Sequence, residues 1–307
     1  MRLTALIPIL CAIASTILGF LLLFAGHKKN FMEEYHVMTL NTSRIGYELV
    51  DLNAGDDDDN SNPISEFIDN IGDDLQDQAS DLINNAVGSI AEQLGLQDWY
   101  SAHLMDYCYG SYLPGPIGND TTNPKKHVED CSDRRAMYHF NPTEILQQSL
   151  DDSGVPITLE DLRWPDAIQN GLDGLRIAGR AAFVLYCIGI GLSILTLITS
   201  VLGLLFSGRA TALLNAALAL LAFLAFGIAS GIVTAVVVKG SNIINKYGDD
   251  IGIEAKRGNK FLGLTWGATA AMLICCVWWM VETCIGHRKR RERTYTEKPR
   301  TTHVERA

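Results

Sequence analysis

Residues 181–238 read AAFVLYCIGIGLSILTLITSVLGLLFSGRATALLNAALALLAFLAFGIASGIVTAVVV, and Arg209 is the only charged side chain among them. As one helix, this stretch would exceed about 80 Å, which is nearly three times the hydrocarbon thickness of a bilayer. The chain must therefore reverse direction at Ser207-Gly208-Arg209. Because hydrocarbon offers the backbone no hydrogen-bond partners, each half is predicted to be a transmembrane helix, and the two form a tight hairpin.

Two further stretches lack charged residues, 3–26 near the amino terminus and 261–281 near the carboxyl terminus. Each is at least 21 residues long, and about 20 apolar residues suffice to cross the hydrocarbon core. The first stretch follows Arg2 and ends in small residues, which is also the pattern of a cleaved signal peptide. Since it is longer than the roughly 7–15 apolar residues of such a peptide, we favour a retained membrane anchor.

The expected fold is an all-α membrane protein, a four-helix transmembrane bundle with a large, partly helical extracellular loop held by one disulfide. A very long buried helix in a soluble protein is the disfavoured alternative. The predicted segments are transmembrane helices at 1–26, 181–206, 210–238 and 261–285, extracellular loops at 27–180 and 239–260, and a basic cytosolic tail at 286–307.

The orientation follows from a cluster of basic residues directly after the last span. Residues 287–293 read HRKRRER, and positive charge beside a span stays in the cytosol. With four spans, both termini are then cytosolic and loop 27–180 is outside. Loop 239–260 carries five Lys or Arg and is also placed outside, which opposes this orientation. The tail cluster is denser and adjoins its span, so we assign the orientation of the chain from it.

Loop 27–180 is acidic, with 28 Asp or Glu against ten Lys or Arg. It contains two N-glycosylation sequons, at Asn41 and Asn119, which are usable only in the secretory lumen. Its two cysteines, Cys108 and Cys131, are expected to pair, because an extracellular compartment is oxidising. The alternatives are two unpaired thiols and a metal site; two cysteines alone are too few ligands for a metal.

An amphipathic helix is predicted at 63–94 within this loop. Asn62-Pro63 suits a helix cap and first turn, and apolar residues then recur at helical spacing opposite an acidic face. We expect the apolar face to pack on the rest of the ectodomain rather than on a partner. The preceding residues 55–62, GDDDDNSN, are read as a solvated linker rather than a calcium site, because their spacing is not that of an EF-hand.

A cysteine-containing motif lies in the predicted disulfide region, 99–142. Residues 99–110 read WYSAHLMDYCYG, residues 164–168 read WPDAI, and the second span begins with FVLYCIGIG at 183–191. Together with Cys131, these stretches resemble the fungal cortical-patch tetraspans, the eisosome-associated family of the Sur-seven/PalI type, and more remotely the claudins. The motif residues are Trp99, Tyr100, His103, Asp106, Cys108 and Gly110.

The resemblance implies a plasma-membrane protein of cortical microdomains, linked with eisosomes, endocytosis and cell-wall integrity. Its PalI branch is linked with the sensing of ambient pH, although the short tail here weakens that reading. Cys108 and Cys131 match the extracellular cysteine pair of the family. The chain departs from the claudins, because it lacks their Gly-Leu-Trp motif and has 22 residues between its cysteines. A claudin-type junction strand or pore is therefore not implied.

Small residues in the spans predict close contacts between helices. The pairs Gly227–Gly231 and Gly263–Gly267 have the required spacing; internal packing is favoured over contacts between neighbouring copies. In the tail, five basic residues are predicted to hold anionic lipids of the inner leaflet, either as a simple stop-transfer anchor or by specific recruitment of phosphoinositides. They are Arg288, Lys289, Arg290, Arg291 and Arg293.

The sequence favours a non-enzymatic role and no cofactor. It contains no P-loop, Gly-x-Ser-x-Gly or His-Glu-x-x-His motif. His103 and Asp106 near Cys108 would suit a thiol nucleophile, but Cys108 is better assigned to a disulfide. A channel or transport subunit is disfavoured because no ionisable residue lies deep within a span. Asn215, the one strongly polar side chain there, is expected to bond a neighbouring helix.

The expected partners follow from the same features. An acidic loop and a short basic tail exclude nucleic acid. Membrane lipids, further copies of this chain or other microdomain proteins, and the cell wall remain as partners. The three functional hypotheses are a microdomain organiser, a PalI-like sensor component and, least favoured, a channel or transport subunit.

Overall fold

The computed structural model describes residues 6–45, 95–113, 125–153, 158–159, 164–205 and 209–296. Its helices and strands, in chain order, are α1 (Leu6–Phe24), β1 (Met38–Asn41), β2 (Trp99–Ala102), β3 (Tyr107–Leu113), β4 (Lys125–Cys131), α2 (Pro142–Ser153), α3 (Asp166–Leu205), α4 (Arg209–Gly248), β5 (Glu254–Arg257) and α5 (Asn259–Thr296). A short 3-10 helix, Glu33–Tyr35, follows α1. The predicted helix at 63–94 lies outside the described residues.

Four of these helices are long and apolar enough to cross a membrane, as the sequence predicted. The candidate spans are Leu6–Phe24, Gly174–Gly203, Ala210–Gly248 and Asn259–Cys284. The helices α3, α4 and α5 extend beyond the charge-free stretches from which they were inferred. The absence of charge marks the part of a helix that suits hydrocarbon, whereas the backbone hydrogen bonds continue through polar residues until a turn ends them.

The chain divides into two compact units. The first consists of Met1–Phe20, Leu185–Gly227 and Thr265–Ala307, and its described part is helical. The second consists of Leu21–Val184 and Ile228–Leu264, and it contains all five strands and α2.

In the first unit, a glycine and a buried amide bring helices together. A Cβ atom on Gly19 would lie 2.6 Å from Cγ1 of Ile190, so α1 approaches α3 as closely as it does only because Gly19 has no side chain. Asn215 of α4 is fully buried. Its Oδ1 accepts hydrogen bonds from the hydroxyls of Thr199 and Ser200 on α3, which confirms the expected bond to a neighbouring helix.

The second unit contains a five-stranded sheet, and the prediction of an all-α protein was wrong in this respect. The strand order is β4-β3-β2-β1-β5, and every neighbouring pair is antiparallel. Strand β5 comes from loop 239–260, so the second loop completes a sheet begun by the first. Strands β1 and β2 are buried at every position. Strand β2, WYSA, lacks the alternation of apolar and polar residues that identifies a strand in a sequence, and β1, MTLN, alternates over only four residues.

The sheet, α2 and the end of α4 share an apolar core. Leu40 of β1, Tyr100 of β2, Leu146 and Leu150 of α2, and Ile244 of α4 are at most 1% exposed and belong to one cluster. Each side chain of this size contributes roughly 1.5–3 kcal/mol when fully buried. This core packs the sheet against α2 and the end of α4.

Candidate functional site

Two aromatic residues of the motif at 99–110 are buried in β2, and their polar atoms are satisfied. Nε1 of Trp99 donates a hydrogen bond to the backbone oxygen of Ser111 at 3.1 Å, and Nζ of Lys126 lies 4.5 Å from the centre of the Trp99 ring. The hydroxyl of Tyr100 accepts a hydrogen bond from the backbone nitrogen of Gln97 at 3.1 Å. The two aromatics therefore brace the sheet from within.

The cysteine of the motif forms a disulfide with Cys131, which confirms the predicted pairing. Cys108 and Cys131 lie directly opposite each other in β3 and β4. Gly110 follows at a β-bulge, where a Cβ atom would lie 1.9 Å from the backbone oxygen of His127. Only glycine allows β4 to approach β3 this closely.

A hydrogen-bonded pair, His103 and Glu33, lies at the centre of the site. Nε2 of His103 is 3.0 Å from Oε2 of Glu33, and the His103 side chain is fully buried. Gly26, with φ of 81°, packs its backbone against the imidazole ring. Burial alone would raise the pKa of Glu33, but hydrogen bonds from His103 and Ser101 and the charge of Lys126 hold that pKa below its ordinary value.

Asp106 is the most deeply buried acid near this pair, at 1% exposure. Burial raises its pKa to about 6, although the charges of His103 and Arg134 oppose the shift. Within the described part of the chain, its Oδ1 atom has no hydrogen-bond partner. Asp106 therefore changes charge close to neutral pH, unlike an ordinary aspartate.

Two basic groups of the same site have lowered pKa values. Burial, with a smaller effect of Lys256, lowers the pKa of Lys126 to about 8, while Nζ donates to Oγ1 of Thr39 at 3.1 Å. Burial and the charge of Lys126 lower the pKa of His36 to about 4. With Glu33, His103 and Asp106, these residues form what we call the polar cluster.

The polar cluster does not fit a metal centre. Glu33, His103 and Cys108 offer three atoms within 4.8 Å of one another. The sulfur of Cys108, however, belongs to the disulfide, and a cysteine binds metal as a thiolate. Two ligands remain, which is too few. The same bond removes Cys108 as a nucleophile.

A cavity of about 110 Å³ lies beside the polar cluster. Its lining is mostly apolar and comes from the sheet, the segment before α2, and helices α3 and α4. His103 contributes to it from the cluster, and Arg176, Gly179 and Val236 contribute from the helices. Among the described residues that line this cavity there is no carboxylate.

Only one of the two sequons, at Asn41, lies among the described residues. Asn41 is only 2% exposed in β1, and its Oδ1 accepts hydrogen bonds from the backbone nitrogen and the hydroxyl of Ser43 at 3.1 and 2.8 Å. This burial opposes a glycan at Asn41 in the folded protein. Asn119 lies outside the described residues. The basic residues at 288–291 and 293 continue the backbone of α5, and their side chains are not described.

Within each predicted glycine pair, the two glycines lie in different environments. A Cβ atom on Gly227 would be in ordinary contact with Thr269, and one on Gly267 with Leu18. In contrast, nothing lies within 4 Å of the corresponding positions on Gly231 and Gly263 among the described residues. One glycine of each pair packs inside the protein, and the other is exposed.

The sequence analysis missed four residues of the site, Glu33, His36, Lys126 and Gly26. Glu33 is one of 28 acids in its loop, and nothing in its neighbourhood in the sequence distinguishes it. The contact with His103 spans 70 residues, so only the folded chain brings the two together. Gly26 was noted only as a small residue at the end of the first span.

Two comparisons with known proteins give matches to this chain. The sequence model described as the SUR7/PalI family matches residues 4–278. The SUR7 family protein pun1 of the fission yeast Schizosaccharomyces pombe is 30% identical over 208 residues, which cover 66% of this chain and 63% of that protein. The match therefore spans slightly less than two thirds of the relative's length. No solved structure matches the chain.

Proposed function

The chain belongs to the SUR7/PalI family, and from this premise we propose that it is a non-enzymatic plasma-membrane protein that organises cortical microdomains of the eisosome type. In this role its bundle associates laterally with further copies or with other microdomain proteins. Its ectodomain faces the cell wall, and its basic tail holds anionic lipid. Through such domains it contributes to endocytosis and cell-wall integrity.

The exposed glycines of α4 and α5 are the observation that carries this proposal. Gly231 and Gly263 have open space where a side chain would project, and small residues on a lipid-facing surface let a second helix approach closely. The internal packing favoured by the sequence analysis accounts only for Gly227 and Gly267. The exposed glycines, Gly231 and Gly263, are therefore available for contacts with other molecules.

The buried disulfide supports the non-enzymatic part of the proposal. The candidate nucleophile was Cys108 beside His103 and Asp106, and its sulfur is already bonded to Cys131. The disulfide also favours placing the sheet outside the cell, since such bonds persist in oxidising compartments. Both termini are then cytosolic.

Live-cell imaging of the tagged full-length protein tests the organising role. We expect immobile patches at the plasma membrane that recover slowly after photobleaching. Replacing both exposed glycines, Gly231→Leu with Gly263→Leu, should disperse the patches and speed recovery. The control Gly174→Leu also fills open space, but at the edge of a span, and should leave the patches intact. Uniform, rapidly recovering fluorescence of the unaltered protein would reject the organising role.

The polar cluster favours a second candidate, a component of ambient-pH sensing like the PalI branch. It combines buried groups whose pKa values lie at about 4, 6 and 8, and it lies in the unit that is proposed to face outward. This role predicts that deletion impairs growth at alkaline pH and that Asp106→Asn or Lys126→Met alters the response. Normal alkaline growth of the deletion strain would reject it.

A further inference from the structure

The cavity beside the polar cluster combines apolar walls with cationic groups at its edge. Leu175, Val236 and Val237 are among the apolar residues that line it, and Arg176 and Gly179 lie on the α3 side. Its volume of about 110 Å³ corresponds to a few methylene groups. Such a space suits a hydrocarbon chain rather than a large polar molecule.

The charges around the cavity favour an anionic group at its edge. Arg176 is exposed at the lining, and Arg180 follows one helical turn later on the same side of α3. Nε of Arg180 is buried without a hydrogen-bond partner among the described residues. Although the whole chain has a net charge of -10, no carboxylate appears in the described lining. A guanidinium in this setting suits a phosphate.

Unsatisfied polar atoms point to a ligand with hydrogen-bonding groups of its own. Oδ1 of Asn141 and Nδ1 of His103 are buried without partners among the described residues, and both residues line the cavity. Buried polar atoms are usually paired in folded proteins. The ester, amide or hydroxyl groups next to a lipid phosphate are the kind of partner that such atoms require.

The level of the cavity along the helices agrees with the edge of a bilayer. Arg176 lies 29 residues before the end of α3 at Leu205, and Val236 lies 27 residues after the start of α4 at Arg209. At about 1.5 Å per residue, each is roughly 40 Å along its helix from that helix end. A bilayer measures about 30 Å across its hydrocarbon and about 40–45 Å with its head groups. Both residues are therefore expected at the far head-group region.

We propose that this cavity binds a bilayer phospholipid, with one hydrocarbon chain against Leu175 and Val236 and the phosphate held by Arg176. The lipid comes from the leaflet on the side of the sheet. It fills space that the protein leaves empty and supplies polar partners beside Asn141. This site is independent of the proposed lateral association, which involves Gly231 and Gly263.

Two glycines of α3 provide a matched pair of variants. A Cβ atom would meet nothing within 4 Å at either Gly174 or Gly179 among the described residues, so both accept a larger side chain. Only Gly179 lines the cavity. Gly179→Leu should therefore obstruct the site, whereas Gly174→Leu makes the same chemical change outside it. Both variants gain equally in helix propensity.

Photolabelling of the full-length protein in nanodiscs tests the site. The probe is a phosphatidylcholine with a diazirine in one acyl chain, and mass spectrometry locates the labelled peptides. We expect labelling of residues 233–240 on α4 and 175–179 on α3. Gly179→Leu should lower this labelling about tenfold, the size expected when a specific contact is lost, and Gly174→Leu should leave it unchanged. Equal labelling of the two variants would overturn the proposal.

The role of the phosphate is tested with a diacylglycerol that carries the same photoactive chains. Arg176→Gln should lower labelling by the phosphatidylcholine probe while leaving labelling by the diacylglycerol unchanged. Equal loss for both probes, or no loss for either, would overturn the assignment of Arg176 to the phosphate. Should Gly179→Leu fail to fold, as judged by its melting temperature, Val236→Trp obstructs the cavity from α4 and gives the same expected loss. Retained labelling in that variant rejects the site.

Discussion

The Nε2 atom of His103 lies 3.0 Å from Oε2 of Glu33, although 70 residues separate the two in the chain. Glu33 belongs to the 3-10 helix that follows α1, and His103 directly follows β2. The pair therefore joins the segment that leaves the first span to the middle of the sheet. With side-chain exposures of 0% and 11%, the two groups interact with little screening by water.

The contact between Gly26 and His103 predicts a large effect of adding one methyl group. Gly26→Ala would place a Cβ atom 2.4 Å from the imidazole ring at a φ of 81°, and a left-handed conformation alone costs alanine about 1–2 kcal/mol. We expect a loss of at least about 2 kcal/mol, measured by thermal unfolding in detergent. The control Gly174→Ala lies in open helix and should be neutral or stabilising. Equal melting temperatures of the two variants would contradict the contact.

The raised pKa of Asp106 predicts a dependence of stability on pH. Because the folded-state pKa of about 6 lies above the ordinary 3.8, the folded protein holds this proton more tightly than the unfolded chain. The resulting stabilisation is complete below about pH 4 and is lost as the pH rises through 6. Asp106→Asn should therefore raise stability at pH 7, by up to about 3 kcal/mol at roughly 1.4 kcal/mol per pKa unit.

The test is the difference in melting temperature between this variant and the unaltered protein from pH 4 to 8. His36 titrates in the opposite sense, since its pKa is lowered to about 4, and it contributes equally to both proteins. The difference thus isolates Asp106. Asp133→Asn, at an exposed position, is the control and should give no such difference. A difference in melting temperature that does not vary with pH would contradict the raised pKa of Asp106.

The disulfide predicts a loss of stability when both cysteines are replaced. Cys108 and Cys131 are separated by 23 positions, and closing a loop of this length contributes about 3 kcal/mol. The double variant Cys108→Ser, Cys131→Ser should unfold at a lower temperature than the unaltered protein, and reductant should remove the difference. Cys187→Ser replaces an exposed free cysteine and should change neither result. If reductant does not lower the melting temperature of the unaltered protein, the disulfide does not stabilise it.

The burial of Asn41 predicts that only Asn119 carries a glycan. Endoglycosidase treatment should shift the mass of the unaltered protein, and Asn119→Gln should abolish that shift. Asn41→Gln should retain the shift but unfold more easily, because it disturbs two hydrogen bonds from Ser43 that together contribute about 1–3 kcal/mol. A glycopeptide that contains Asn41 would show that this strand is exposed when the glycan is attached.

The features that the sequence predicted correctly are those that depend on local composition. Charge-free stretches long enough for hydrocarbon identified the four candidate spans, and the thickness of a bilayer predicted that one helix ends and another begins near Arg209. The pairing of Cys108 with Cys131 needed only the count of cysteines outside the spans. Asn215 was correctly expected to bond another helix, because a lone amide in an apolar helix has to find a partner.

The sheet was missed for a specific reason. Residues 42–98 separate β1 from its partner β2, and β5 comes from a different loop from the other four strands. Strand β2, WYSA, shows no alternation of apolar and polar residues, and β1, MTLN, alternates over only four residues. Neither segment alone indicates which distant segment it pairs with, so only the folded chain reveals the sheet.

The sequence by itself thus determined which segments suit hydrocarbon, because that property belongs to each segment alone. The tertiary structure alone decided that Glu33 meets His103, that Asp106 is buried, and that α3 and α4 line a cavity with Arg176 at its edge. These features depend on distances between residues remote in the chain, and on burial by neighbours that local composition does not specify.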